Sequence, residues 1–173
     1  TKLKGCAAAG KAAKGGGIAN SGKLALSNCT ISTNKAVIGG AGVFNAATAV
    51  LAMTNCTLDG NELIFAVAGN AGAGVCNAGA ATLTNCTLSQ NKAGLGNGGG
   101  IANTASQTTL QNCTLFGNTA ANGGGAASVG GAVSLENTIL IGNTATAVGN
   151  DIYDNAGAGA FIDRASRQAS RRW

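Results

Sequence analysis

Apolar and polar residues alternate with a period of two in a segment that recurs along the chain. Leu24 and Leu26 form one such apolar pair, and Leu51 and Met53 form the next; a polar residue and an Asn follow each pair. This alternation predicts a β-strand with one buried face. Beyond the Asn, a second short alternating segment has an apolar residue at its centre. These centres are Ile31, Leu58, Leu88, Leu115 and Leu140.

The Asn between the two segments opens a repeated phrase. Residues 28–34, 55–61, 85–91 and 112–118 begin Asn-Cys-Thr, and a changed copy follows at residues 137–143. Glycine-rich phrases such as residues 15–20 and 98–103 precede each copy at a nearly constant distance. A period of roughly 25 to 30 residues indicates a solenoid, in which coils bury their apolar faces only by stacking. The sequence therefore predicts an all-β fold, a parallel β-helix of about five to six coils with rungs about 4.8 Å apart.

The repeats divide the chain into three parts. We expect an N-terminal cap or arm at residues 1–14, the solenoid at 15–160 and a basic C-terminal tail at 161–173, with short caps at both ends. Phe161, Ala165, Ala169 and Trp173 recur every four residues, which predicts a short amphipathic helix in the tail.

The glycine-rich and apolar-x-x-Asn phrases resemble the repeats of polymorphic outer-membrane proteins and related surface β-helix proteins. The apolar-x-x-Asn phrase is present here at residues 31–34, 58–61, 88–91, 115–118 and 140–143, and the resemblance spans residues 15–154. It implies a right-handed parallel β-helix of a kind often used for adhesion or display. We therefore expect a cell surface or the periphery of a large complex, including one in an organelle, as the setting.

Composition and charge narrow the function. Glycine accounts for 29 of 173 residues, while proline and histidine are absent, and the formal net charge of +5 is concentrated at the two ends. No basic face runs along the body, so we expect no nucleic-acid partner. The least polar window, residues 36–54, is interrupted by glycines and predicts no transmembrane segment.

The repeated Asn and Cys residues have a structural interpretation. We predict a structural ladder of stacked corner Asn side chains and inward-facing, unpaired thiols. Its members are Asn28, Asn55, Asn85, Asn112, Asn137, Cys29, Cys56, Cys86 and Cys113. The same Asn-Cys-Thr triplets match glycosylation acceptors, and we favour the structural interpretation because a glycan needs a flexible site. Cys6 and Cys76 lie outside the ladder and would be the pair if a disulfide forms.

Catalytic and cofactor motifs are incomplete. Residues 17–24 match a phosphate-binding loop except that Leu24 replaces the required Ser or Thr. Asp59 and Glu62 are neighbours, but no acidic or basic partner recurs in the next coils, as carbohydrate hydrolysis or elimination would need. Without His or closely spaced Cys pairs, a metal site is not expected. The sequence therefore predicts no enzyme and no cofactor.

The basic tail is the strongest candidate for partner binding. Arginine and tryptophan are common in binding hot spots. The candidates are Arg164, Arg167, Arg171, Arg172 and Trp173. We expect a non-catalytic structural or protein-docking subunit of a larger assembly, with an acidic partner surface against this tail. A surface adhesin is the first alternative. An ice-binding or carbohydrate-binding module is the second, since Thr30, Thr57, Thr87 and Thr114 would form an outward column.

Overall fold

The chain forms an all-β solenoid in which each coil adds one strand to each of three parallel sheets. A computed structural model describes residues 2–4, 14–64, 71–155, 161–164 and 167–169, with segments 2–4, 161–164 and 167–169 described as backbone. All described strand pairs are parallel, and no helix occurs in these segments. The prediction of a parallel β-helix is confirmed. None of the described segments contains a helix long and apolar enough to cross a bilayer.

The three sheets follow one another around each coil. Sheet 1 follows the glycine-rich phrases and contains Ile18–Asn20, Val43–Asn45, Val75–Asn77, Ile101–Asn103, Ala126–Ser128 and Ile152–Asp154. Sheet 2 contains Lys23–Ser27, Val50–Thr54, Ala80–Thr84, Gln107–Gln111, Ala132–Glu136 and Phe161–Arg164. Sheet 3 contains Lys2–Lys4, Thr30–Ser32, Thr57–Asp59, Thr87–Ser89, Thr114–Phe116, Ile139–Ile141 and Arg167–Ala169.

The predicted inward columns form the core. In sheet 1, Ile18, Val43, Val75 and Ile101 pair in register from coil to coil. In sheet 3, the column runs through Ile31, Leu58, Leu88, Leu115 and Leu140. Nearly all these side chains are fully buried, and the alternating residues of sheet 2 close the third side of the core. Period-two alternation together with a constant coil length keeps equivalent apolar residues stacked.

A second, thinner layer lies beside the main core. After four of the sheet 3 strands, the chain forms a short strand and then returns through the glycine-rich phrase; after Thr87–Ser89 it forms only isolated bridges at Lys92. These short strands pair as Lys35–Ala36 with Glu62–Leu63, and as Thr119–Asn122 with Thr144–Val148. Alanine side chains and one leucine fill the layer: Ala36, Ala41, Leu63, Ala71, Ala73, Ala93 and Ala120. A Cβ at Gly99 would lie 2.6 Å from the Thr119 carbonyl oxygen, so this close backbone approach requires glycine.

The predicted C-terminal helix is wrong where the structure describes the tail. Phe161–Arg164 pairs with Ala132–Glu136, and Arg167–Ala169 pairs with Ile139–Ile141. The last sheet edges present unpaired N–H and C=O groups, which an extended segment satisfies and a helix would leave open. Tertiary pairing therefore overrides the four-residue periodicity.

The N-terminal segment also continues a sheet. Lys2–Lys4 pairs in register with Thr30–Ser32 at the opposite edge of sheet 3. An extended strand, rather than a helix, therefore lies at this point of the predicted N-terminal cap, and residues 5–13 lie outside the described segments. The division of the chain at residues 14 and 160 stays a prediction.

Candidate functional site

The outer side of sheet 3 carries a cluster of exposed apolar side chains. Phe116 is 46% exposed, Ile139 43% and Ile141 39%. Phe116 pairs in register with Ile141, and Ile139 pairs with Thr114 on the same two rungs. We call these three side chains the apolar patch. Sequence analysis did not identify this patch; the signal missed was that Phe116 and Ile141 occupy equivalent positions in neighbouring coils and are both apolar.

The rest of this face is polar and regular. One outer column contains Thr30, Thr57, Thr87 and Thr114, all partly buried and in register, before it reaches Ile139. The other contains Ser32, Asp59, Ser89, Phe116 and Ile141. The Ser89 hydroxyl donates a hydrogen bond of 2.6 Å to Asp59 Oδ1. The face therefore changes from polar to apolar along the solenoid axis.

The predicted partner-binding residues are only partly described. Arg164 ends a sheet 2 strand and pairs in register with Glu136, while Arg167 pairs with Ile139 of the apolar patch. Arg171, Arg172 and Trp173 lie outside the described residues. The structure thus places one predicted residue, Arg167, on the rung next to the apolar patch.

The corner Asn residues allow the chain to turn between sheets 2 and 3. Asn28, Asn55, Asn85, Asn112 and Asn137 all have positive φ, between 47° and 54°. Asn tolerates this left-handed conformation better than most residues do. All five are exposed. Two side-chain hydrogen bonds join successive corners, from Asn55 Nδ2 to Asn28 Oδ1 and from Asn85 Nδ2 to Asn55 Oδ1, and each measures 3.3 Å. Their main contribution is the turn.

A different set of Asn residues forms the buried amide ladder. It consists of Asn34, Asn61, Asn91, Asn118 and Asn143, one in each coil. Each Nδ2 donates to the Oδ1 of the next member at 2.9 to 3.0 Å. From Asn61 onward, Nδ2 also donates to a sheet 3 carbonyl of the preceding coil. Sequence analysis quoted these residues as the end of the apolar-x-x-Asn phrase but did not recognise the ladder.

The ladder has a defined end. Asn143 Nδ2 donates to Asp151 Oδ1 at 2.9 Å, and Asp151 is buried. Asp151 stands where the preceding coil has Gly125, since the residues that follow them, Ile152 and Ala126, pair in register. An ionised carboxylate accepts hydrogen bonds and donates none, so it is a suitable partner for the last donor of an amide column.

A second buried amide ladder lies at the end of the sheet 1 strands. Asn20 donates to Asn45, Asn45 to Asn77, and Asn77 to Asn103, over 2.7 to 3.1 Å. Asn103 Nδ2 instead donates to backbone carbonyls, including that of Ala132 at 3.1 Å. The two ladders satisfy polar groups that would otherwise destabilise a narrow solenoid interior.

The cysteine column is buried from the second coil onward. Cys56, Cys86 and Cys113 are each 1% exposed, whereas Cys29 is partly exposed. Each buried thiol donates to backbone carbonyls, as Cys113 Sγ does to the Leu83 oxygen at 3.4 Å. In the fifth coil, Thr138 Oγ1 makes the equivalent bond to the Leu110 oxygen at 3.2 Å.

The four thiols of this column form no disulfide. They are Cys29, Cys56, Cys86 and Cys113. Burial raises the pKa of Cys56 and of Cys76, and the hydrogen bond with Cys113 together with burial raises the pKa of Cys86. Cys6, the other half of the disulfide considered above, lies outside the described residues.

The sequence of the coils matches one family model. Residues 18–171 match the family model described as a right-handed β-helix region. The chain belongs to this family. No curated protein and no solved structure gave a significant match. The right-handed β-helix inferred from the repeat resemblance is therefore confirmed as the fold.

Three acidic side chains of this right-handed β-helix have separate partners. Glu62 forms an ion pair of 3.3 Å with Lys35, and both side chains are about half exposed. Asp59 accepts from Ser89, and Asp151 accepts from the amide ladder. No group of three or more potential metal ligands occurs in the part of the chain that the structure describes.

Proposed function

We propose that this right-handed β-helix is a non-catalytic docking subunit of a larger protein assembly, and that the outer side of sheet 3 is its docking face. The apolar patch carries the proposal. Phe116, Ile139 and Ile141 are roughly two-fifths or more exposed and lie together on two neighbouring rungs. Adjacent exposed apolar side chains on a flat sheet are typical of protein interaction sites.

The sheet supports this role mechanically. Sheet 3 is anchored to the core by its central apolar column, and the buried amide ladder donates hydrogen bonds to its carbonyl groups. Its outer side chains are therefore held in a fixed array before a partner binds. A preorganised surface loses less conformational entropy on binding. Arg167 belongs to the basic tail and pairs in register with Ile139. The tail would therefore favour the acidic partner surface that the sequence predicts.

The proposal is tested by affinity purification from the source cells with two variants. Phe116→Ser combined with Ile141→Ser should lose a partner that wild-type protein retains in stoichiometric amount. Val50→Ser is the matched control, because Val50 is 43% exposed but lies on sheet 2. Equal retention by the patch variant and the control would contradict the proposal. Truncation before residue 161 is a poor test, because it would remove strands that cover the edges of sheets 2 and 3.

The in-register Thr column favours a second candidate function, binding to a repeating surface such as ice or a polysaccharide. Thr30, Thr57, Thr87 and Thr114 repeat at the rung spacing of a parallel sheet, about 4.8 Å. Thr87→Lys should abolish any thermal hysteresis or polysaccharide retention shown by wild-type protein. If wild-type protein shows neither activity, this candidate is excluded. A cell-surface adhesin would use the same docking face, with attachment to cells as its assay.

A further inference from the structure

The first two thiols of the cysteine column are neighbours that differ in exposure. Cys29 is partly exposed, whereas Cys56 is buried. We propose that this pair is a redox-sensitive lock: a low-molecular-weight disulfide such as glutathione disulfide reacts with Cys29, and Cys56 then closes a disulfide between the two coils. The lock goes beyond the proposed function, because it involves neither the apolar patch nor a partner protein.

The backbone holds Cys29 directly opposite Cys56. The residues that follow them, Thr30 and Thr57, pair in register, and the Thr57 N–H donates to the Cys29 carbonyl at 2.9 Å. Neighbouring strands of a sheet lie about 4.8 Å apart. A disulfide joins residues whose Cα atoms are about 4.4 to 6.8 Å apart. The distance between rungs therefore suits a disulfide between these two residues.

The Cys56 sulfur already lies toward the coil of Cys29. It donates to the Leu26 carbonyl of that coil at 3.6 Å and to the Thr54 carbonyl of its own coil at 3.3 Å. The Cys29 sulfur donates to the Ser27 carbonyl at 3.2 Å, and both side chains pack against the main core. A thiol is a weak hydrogen-bond donor, so a covalent bond between the two sulfurs can replace these contacts.

Packing distinguishes this pair from the inner pairs of the column. The Cβ atoms of a disulfide lie about 3.8 Å apart, so opposed cysteines must approach each other by about 1 Å from the distance between rungs. Leu24, Leu26 and Cys29 are only partly buried against the core, so their coil is less restrained. Cys86 and Cys113 are buried between close-packed coils, where a small disulfide has no access and movement is costly.

The reaction is thiol–disulfide exchange in two steps. The Cys29 thiolate attacks one sulfur of the small disulfide, whose S–S bond breaks and whose other half leaves as a thiol after taking up the proton. The Cys56 thiolate then attacks the Cys29 sulfur of this mixed disulfide and releases the second small thiol, which takes up the Cys56 proton. Two protein thiols are oxidised, and one small disulfide is reduced to two thiols.

The second step should be the slower one when the small disulfide is in excess. Burial raises the pKa of Cys56, and a main-chain hydrogen bond from Cys29 opposes the rise. The rate of exchange depends on the fraction of attacking thiol that is ionised. The mixed disulfide at Cys29 should therefore accumulate before the disulfide between the coils forms.

The disulfide would close a loop over residues 29–56. A crosslink stabilises a folded protein chiefly by restricting its unfolded chain. Contacts in a solenoid join only neighbouring coils, so a covalent bond between two coils adds directly to what holds them together. We expect the oxidised protein to unfold at a higher urea concentration than the reduced protein.

The first experiment incubates purified protein with excess glutathione disulfide in buffer without urea. The protein carries Cys6→Ser, because Cys6 lies outside the described residues. Intact mass spectrometry without reductant should show one glutathione adduct, which converts to a species lighter than the reduced protein by two hydrogen atoms. A protease digest should then give joined peptides that contain Cys29 and Cys56. A protein that stays reduced, an adduct that never converts, or a crosslink between other cysteines overturns the inference.

Threonine variants provide matched controls, because Thr138 occupies the equivalent position in the fifth coil. Cys56→Thr should trap the adduct at Cys29, and Cys29→Thr should prevent both the adduct and the crosslink. Cys113→Thr should react as its parent does and keep the rise in urea midpoint on oxidation. Circular dichroism confirms that each variant is folded before oxidant is added. Equal reaction of folded Cys29→Thr and its parent, or a crosslinked protein with an unchanged urea midpoint, contradicts the lock.

Discussion

Replacing Asn91 by Leu should remove the central connection of the buried amide ladder while keeping the number and branching of the side-chain heavy atoms. The Asn91 side chain makes four hydrogen bonds. Its Oδ1 accepts from the backbone N and from Nδ2 of Asn61, and its Nδ2 donates to the Leu58 carbonyl and to Asn118 Oδ1. All four measure 2.9 to 3.0 Å, and Asn91 is fully buried.

The magnitude follows from these partners. A typical hydrogen bond contributes about 1 kcal/mol net, and a buried group left without its partner costs about 1 to 3 kcal/mol. The backbone N–H of Asn61 would lose the acceptor that the Asn91 side chain supplies. We therefore expect the free energy of unfolding to fall by about 3 to 6 kcal/mol, which is well above the usual effect of a point substitution.

Urea unfolding followed by circular dichroism measures this change. Asn85→Gly is the matched control in the same coil, because Asn85 is exposed and Gly adopts its φ of 53° readily. The control should change the free energy of unfolding by less than about 1 kcal/mol. The reasoning is refuted if Asn91→Leu is as stable as the control, or if the corner substitution proves the more damaging of the two.

Three further substitutions or conditions test other parts of the coil. Gly74→Ala should lower the free energy of unfolding by about 2 kcal/mol or more, because a Cβ there would lie 2.4 Å from the Gly100 carbonyl oxygen. A variant as stable as wild-type protein in urea would contradict this close approach. Cys113→Thr should change stability by less than about 1.5 kcal/mol, since Thr138 already makes the equivalent carbonyl bond in the next coil; a larger loss than that of Cys113→Ala would contradict the equivalence. Because hydrogen bonding and burial raise the pKa of Cys86 above its ordinary 9.0, the unfolded thiol ionises first, and stability should be complete below that pH and fall as pH rises above it. Cys86→Thr should reduce this alkaline decline in urea midpoints measured across the pH range, and an unchanged decline would exclude the thiol as a cause.

Local chemistry in the sequence was enough to predict the coil. The alternation around Leu51 and Met53, and the recurrence of Leu58 and Leu88 at equivalent positions, predicted which residues face the core. Coil-to-coil contacts in a solenoid join equivalent residues, so a repeated pattern also predicts the pairing register. The burial of Cys86 agrees with the inward orientation predicted from the same alternation.

Three features required the tertiary structure. The sequence contains two Asn residues in each repeated phrase, and only stacking shows that Asn91 is buried while Asn85 is exposed. The tail has helical periodicity, yet residues 161–164 and 167–169 are extended, because the edges of two sheets supply hydrogen-bonding partners that local sequence does not encode. The apolar patch combines Phe116 with Ile141 from the next coil, 25 residues along the chain in the numbering of the sequence. Each of these depends on which coils lie side by side, and residue periodicity determines that only where the repeat is regular.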